Sequence, residues 1–372
     1  MNTKEIKEIK KLYTKERCSV SRLCGCYVNG EKEKVATFTG GFLGMEDEEL
    51  FKYIEIFKKC LSGSFEKNLF NVDIPLQFEF NSDSYKLLCG MRDAGLGNKE
   101  LMDMFYDRVI ETYQHVGNYM ILVAIDTYDV PGKSTLGDTM SDASEESFKY
   151  MIAAICPVEL AKPGLFYSND EGWFTAVDRD WIAGAPEAGF MFPAFNDRST
   201  DIHAALYYAK NADALQDDFI TGLFGSETPV TAEQKSNAFG TVVSEVYGEE
   251  FSAEDMKSVH ETIAEEAEII RNEPDMDSML SKTHVRSIIE KSGATDEQMQ
   301  RFDSAYDELL GDDTELNIES LCGKKKFTVK NEFVEIKLAA DHTELIHFED
   351  VDGKRVAVIE LDSGTEIDGV PV

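Results

Sequence analysis

Asp197, Arg198, Ser199, Thr200, Asp201 and His203 fall within seven positions of the segment FPAFNDRSTDIHAALYY, residues 192–208. Together they offer a proton acceptor, carboxylates to orient it and a guanidinium for an anion. Those are the parts of a hydrolase or phosphoryl-handling site. In that arrangement Arg198 binds the anion, His203 exchanges the proton, and Asp197 or Asp201 orients the imidazole. Asp197, Arg198, Asp201 and His203 are therefore the candidate catalytic residues. The same side chains also have ordinary structural uses. The pattern predicts a strand, GFMFPAF, running into a helix that begins near Thr200. Asn, Asp, Ser and Thr accept hydrogen bonds from the free N–H groups of a helix start, and an acid in the first turn suits the helix dipole. On such a helix Asp201 and His203 stand about 200° apart, too far round to share one metal ion. Arg198 has no such local duty: it can face an anion or pair with Asp197 or Asp201.

Other chemistry-bearing motifs are incomplete. YDVPGKST, residues 128–135, ends like a phosphate-binding loop, but the first glycine of that loop belongs where Thr127 stands. The acidic, turn-rich LGDTMSDASEES follows instead of a helix, so Pro131-Gly132 reads as a turn. HETIAEE starts like a zinc-protease helix, yet Ala264 occupies the place of the second histidine. Cys24 and Cys26 share one side of a strand, but no second cysteine pair completes a zinc site, and buried thiols are the expectation. His347 with Glu349 could face one ion from a single strand side; a solvated histidine on an acidic surface is the plainer reading. No cofactor and no metal is expected.

The elements that must position these residues can be read in order. Ile6, Ile9 and Tyr13 give the N-terminal segment one apolar helical face. SVSRLCGCYV, Asn29-Gly30 and EKVATF form a hairpin. Leu50, Ile54, Phe57 and Leu61 make a helical stripe that Gly63 stops. A strand is expected near 73–80, helices near 83–94 and 98–115, then strands at 118–128, 148–156, 164–168, 173–177 and 187–192. The middle pair is joined by SNDEG. Connections this short favour antiparallel pairing. The helix from Thr200 is followed by another at roughly 212–224. Residues 226–320 read as helical, with capping patterns at Thr231/Gln234, Thr295/Gln298 and Ser252/Asp255, and stops at Gly293 and Gly311. The tail changes to period two, with turns at Asp352-Gly353 and Ser363-Gly364. The expected class is α+β: a mixed, largely antiparallel sheet with helices over residues 1–225, an acidic helical segment over 226–320, and a small antiparallel β unit over 321–372.

Composition narrows the partners. The chain has 372 residues and a net charge of −34, and residues 211–320 hold 27 acidic against seven basic side chains. Such a surface repels nucleic-acid phosphates and anionic membranes, and favours protein partners with basic surfaces. No apolar run is long enough to span a bilayer. The N-terminus lacks a hydrophobic leader, and seven cysteines are odd in number, so a reducing cytoplasm is the expected location. Aromatics crowd residues 166–195, but few basic residues interleave them, so sheet core is expected rather than a base-stacking platform.

The segments EIKKLYTKERCSVSRLCGCYV, YDVPGK, ICPVELAKPGL and FPAFNDRSTDIHAALYY together resemble a family of anaerobic Firmicutes described as a domain of unknown function. The resemblance spans nearly the whole chain. It implies a bacterial cytosolic protein and supplies no activity, partner or catalytic residue. The C-terminal strands are also similar in pattern to the end of bacterial nucleoid-associated proteins, although the acidic charge opposes DNA binding. The expected function is a non-catalytic binding or interaction protein. A hydrolase or phosphoryl-handling enzyme at 197–203 is the alternative, and a nucleoid-type protein a further one.

Overall fold

In the computed structural model of the chain, the Asn2 side chain opens helix α1 (Thr3–Lys10) by accepting from the N–H groups of Lys4 and Glu5, while Glu5 returns a bond to the Asn2 N–H. The structure describes residues 1–133, 139–168, 170, 172–176, 180–248, 251–272, 278–312, 314–322, 326–330, 332–339, 342, 345–352, 354–361, 366–367 and 370–371. They fall into two compact units, Met1–Pro229 and Val230–Val372.

In the first unit α1 is followed by β1 (Arg22–Val28), β2 (Lys34–Gly41), α2 (Asp47–Cys60) and β3 (Leu69–Asp73). Then come α3 (Leu76–Asn81), α4 (Asp83–Ala94), α5 (Lys99–Thr112), β4 (Asn118–Lys133) and β5 (Thr139–Leu160). The short strands β6 (Leu165–Ser168), β7 (Trp173–Ala176) and β8 (Trp181–Ala183) precede β9 (Ala188–Phe192). The unit closes with β10 (Ala194–Asn196), β11 (Ser199–Asp201), β12 (Ala204–Ala209) and α6 (Asp217–Phe224). Three acids in the first turn of α2 and two lysines in its last oppose the ends of its dipole. Asn98 caps α5, and Ser82 caps α4.

The main sheet runs β2-β1-β4-β5-β9-β12-β3, with β8 added to β5, and every pairing is antiparallel. Both faces are covered. Cys24, Cys26, Ile121, Val123, Met151 and Ala153 point into a core shared with α4, α5 and α6. Their neighbours Leu23, Leu122, Ala124, Phe148 and Ile152 point into a second core beneath α1 and α2. Alternation along each strand thus builds two cores from one sheet. Each large side chain fully buried there contributes about 1.5–3 kcal/mol.

Two elements differ from the sequence expectation. The strand near 73–80 is β3 followed by α3; Pro75 ends the extended stretch, and α3 buries none of its residues. The helix expected from Thr200 is absent: β11 and β12 occupy it, because AALYYA is buried all round and alternates Ala205 and Tyr207 into one core, Leu206 and Tyr208 into the other. A run apolar on both sides does not distinguish a buried strand from a helix. Pro131-Gly132 is no turn either: it lies in β4 where the β4–β5 register shifts. Part of the expected turn-rich stretch, from Thr139, belongs to β5.

The second unit holds α7 (Ala232–Tyr247), α8 (Ala253–Asn272), β13 (Met279–Leu280), α9 (Lys282–Lys291), α10 (Asp296–Leu309), β14 (Leu316–Asn317) and α11 (Ile318–Leu321). Its core gathers Val242, Val246, Ile263, Ile289, Phe302 and Tyr306. The capping boxes at Thr231 and Thr295 are present, and Ser252 and Asp255 exchange the same two bonds. Three two-stranded antiparallel hairpins follow: β15 (Lys326–Lys330) with β16 (Glu335–Ala339), β17 (Ile346–Val351) with β18 (Lys354–Ile359), and β19 (Glu366–Ile367) with β20 (Val370–Pro371). Ser363-Gly364 lies outside the described residues.

Gly189 shows how closely α2 sits on the sheet. A Cβ there would lie 2.6 Å from Cys60 Sγ and 2.7 Å from the Ala153 carbonyl oxygen. Gly189→Ala should therefore lower stability by about 1–3 kcal/mol in denaturant unfolding. An unchanged midpoint would show that α2 can lift off this strand freely.

Candidate functional site

The pairings Ala194↔Asp201, Phe195↔Thr200 and Asn196↔Ser199 leave Asp197 and Arg198 as a two-residue hairpin turn. Their φ values, 51° and 58°, are left-handed, as a type I′ turn requires at both positions. Asp tolerates that conformation better than Arg, so Arg198 carries local backbone strain on the order of 1 kcal/mol.

Its side chain is held by a different part of the chain. Nε and Nη2 of Arg198 donate to the two carboxylate oxygens of Glu8, on α1, at 3.2 and 2.9 Å. Nη2 also reaches the Pro131 carbonyl oxygen at 3.2 Å, and the Tyr128 hydroxyl donates to the same Glu8 at 2.7 Å. Both charged side chains are mostly shielded from solvent, 21 and 26% exposed. The Glu8 hydrogen bond raises the Arg198 pKa further, and burial with the Glu8 bond pushes the Tyr128 hydroxyl up to about 12. Neither group titrates near neutrality in this setting. On the other side of the hairpin, Glu146 accepts from Ser199 Oγ and the Thr200 N–H.

Asp201 and His203 are oriented elsewhere. Asp201 accepts from Asn196 Nδ2 at 2.6 Å and from the His203 N–H at 2.9 Å. The exposed His203 ring meets Glu79, on α3, at 2.7 Å through Nδ1, and that hydrogen bond raises the imidazole pKa. Asp197 and Arg198 line an open groove of about 790 Å³ together with Glu8, Lys11, Arg17 and Tyr128. Asp201 and His203 do not line it. The structure thus brings Asp197 and Arg198 together and separates them from Asp201 and His203. Sequence reading missed Glu8, Tyr128 and Glu79, which are distant in sequence and carry no local signal beyond being polar at the ends of apolar stripes.

The remaining motif residues are accounted for locally. Cys24 and Cys26 face the core under α4 and α5, and burial raises the Cys26 thiol to about 11. A protonated thiol is a poor metal ligand. His260 sits within α8, where burial lowers its pKa. His347 Nε2 lies 3.4 Å from Glu349 on one side of β17. Among the described residues, no three His, Cys, Asp or Glu side chains are grouped to hold a metal ion, and no helix is long and apolar enough to cross a membrane. Ser134 and Thr135, the end of the phosphate-loop-like motif, lie outside the described residues.

One expectation about the aromatics is overturned. Phe190, Phe192 and Phe195 are core, but Tyr167, Trp173, Phe174 and Trp181 are exposed, the two tryptophans 71 and 54%. The last turns of β5 explain this. Val158, Glu159 and Leu160 pair directly with Ala183, Ile182 and Trp181, and the described residues between Leu160 and Trp181 stand off the main sheet, carrying the β6–β7 hairpin. The Ala161 N–H closes its base on the Asp180 carbonyl oxygen at 2.8 Å.

Two predictions test this geometry. In a double-mutant cycle of Glu8→Gln and Arg198→Met, the coupling should be about 1–2 kcal/mol, reflecting a shielded, bidentate pair. Additive effects would mean that Glu8 does not restrain Arg198. The raised His203 pKa stabilises the fold fully below the unfolded value near 6.5 and is lost as pH rises through the folded value. The wild type should therefore lose more stability than His203→Gln between about pH 5.5 and about pH 8.5. Parallel pH profiles would contradict the Glu79 pairing.

A sequence profile for a domain of unknown function, DUF4317, matches residues 1–370, and the chain belongs to that family. No curated protein matches it.

Proposed function

For a member of a family whose description carries no activity, we propose a non-catalytic role: a bacterial cytosolic protein that binds a protein partner through the aromatic β6–β8 excursion. One observation carries this reading, the exposure of Tyr167, Trp173, Phe174, Trp181 and Ile182 on one short segment. Tyr167 and Phe174 pack edge to face at 5.4 Å, so the hairpin presents a preformed aromatic surface and loses little side-chain freedom on binding. Large aromatics in an exposed apolar patch are the usual anchors of protein interfaces. Glu159, Asp170 and Asp180 are exposed around it. The fitting partner therefore offers apolar pockets rimmed by lysine or arginine, in keeping with the chain's net charge of −34.

The hydrolase alternative at Asp197, Arg198, Asp201 and His203 needs an arginine free to take an anion and a histidine beside it. Arg198 engages Glu8, and His203 engages Glu79 at a separate place. That spacing favours the interaction reading.

The test compares partner retention by wild-type protein with that of the double variant Trp173→Ser, Phe174→Ser. The variant should lose the partner, weakening binding by at least about a hundredfold, while its unfolding midpoint is unchanged because both side chains are exposed. A partner held equally by both proteins would refute the aromatic surface as the binding site.

A further inference from the structure

We propose that a cleft on the α4–α5 face of the sheet binds a phosphate dianion carried by a small ligand. On this face the inward residues of β1, β4 and β5 are Cys24, Val123 and Met151. Two positions further along each strand, on the same side, stand Arg22, Ile125 and Lys149, with Thr127 beyond Ile125. The apolar face therefore turns cationic where α4 ends and α5 begins. The α4–α5 loop, Gly95-Leu96-Gly97, overhangs this end and encloses a cleft of about 390 Å³, a volume suited to a small molecule.

The charges in the cleft run against those of the chain. The sequence has 71 acidic and 37 basic residues, yet among the described residues the cleft is lined by Arg22 and Lys149 with no carboxylate. Among the described residues no carboxylate pairs with Arg22, whose Nη1 lies against the open face of Gly97, 3.2 Å from where a Cβ would stand. Lys149 Nζ donates to the Asp93 carbonyl oxygen at 3.1 Å, which anchors the ammonium and leaves its other N–H bonds for a ligand. The Asp93 carboxylate accepts a hydrogen bond from Arg92 at 2.7 Å and also feels the Lys149 charge from outside the cleft lining. Ser21 and Thr127 add hydroxyl donors at the rim. Ser19 Oγ donates to the buried Asp126, so it is left to accept a bond from a ligand hydroxyl. A guanidinium fork and a point ammonium together match a doubly charged phosphate, while Ile125 and Leu96 give the rest of the ligand an apolar floor.

Calorimetric titration of the full chain with glycerol 3-phosphate and, separately, inorganic phosphate, at constant ionic strength, tests the site. Wild-type protein should bind at least one probe. Arg22→Gln and Lys149→Gln should each weaken that binding at least about tenfold, and Arg286→Gln, in the second unit, should leave it unchanged. Tighter binding of glycerol 3-phosphate assigns the phosphate to an organic ligand, and tighter binding of inorganic phosphate overturns that part of the proposal. If a variant does not fold, protection of Arg22 in the wild type from phenylglyoxal by the same probes gives the answer. Absence of binding by both probes, or equal affinity in the Arg22→Gln, Lys149→Gln double variant, overturns the proposal.

Discussion

The pairing of β4 with β5 is the constraint on which the first unit depends. It runs from Asn118↔Val158 to Lys133↔Thr139. Neighbouring strands take their register from this pair: β1 on β4, and β9 and β8 on β5. Because side chains alternate across a strand, a slip of one residue would exchange the contents of the two cores. Both cores are apolar from Ile121 to Ala124 and across to Ile152 to Ile155, so such a slip would expose or misplace side chains on both faces at once.

The same alternation accounts for the polar features. Beyond Ile125 and Met151 the inward positions change character on both faces, becoming polar on the α4–α5 side and mixing polar groups with buried Val130 and Phe148 on the α1 side. On the α1 side Tyr128 meets Glu8 and, through it, the strained Arg198 turn. On the α4–α5 side Arg22, Thr127 and Lys149 line a cleft. Between them Asp126 is buried, accepting from Tyr150, Ser19 and its neighbour's N–H, and burial raises its pKa. The two polar margins differ in one respect. Arg198 is paired with Glu8, whereas among the described residues no carboxylate pairs with Arg22.

How much was legible in the sequence follows from which signals are local. Helices with caps and stripes, such as α2, α5, α7 and α10, are predicted from residues a few positions apart, and they are present. The alternating strands and the β6–β7 pairing are legible for the same reason. AALYYA was not, because a strand buried on both faces has no polar side to mark its period. Hydrophobicity alone places the aromatic hairpin in the core, because it reports only that a residue gains by burial; what leaves Trp173 uncovered is the β5–β8 pairing, which sets the β6–β7 hairpin off the main sheet. The sequence pattern presents the candidate site as four residues of one junction. Two of them share a groove, and their partners Glu8 and Glu79 come from helices more than a hundred residues earlier, beyond the reach of any local pattern.

The chain's two tryptophans, Trp173 and Trp181, both stand on the proposed binding surface, so tryptophan fluorescence reports on it alone. Acrylamide quenching, measured on the free protein and again with the partner bound, is the most direct test of the central claim. If the β6–β8 surface binds the partner, emission in the free protein is strongly quenched and red-shifted, and it is protected and blue-shifted in the complex. Tryptophans already shielded in the free chain, or equally quenched in the complex, would contradict that claim.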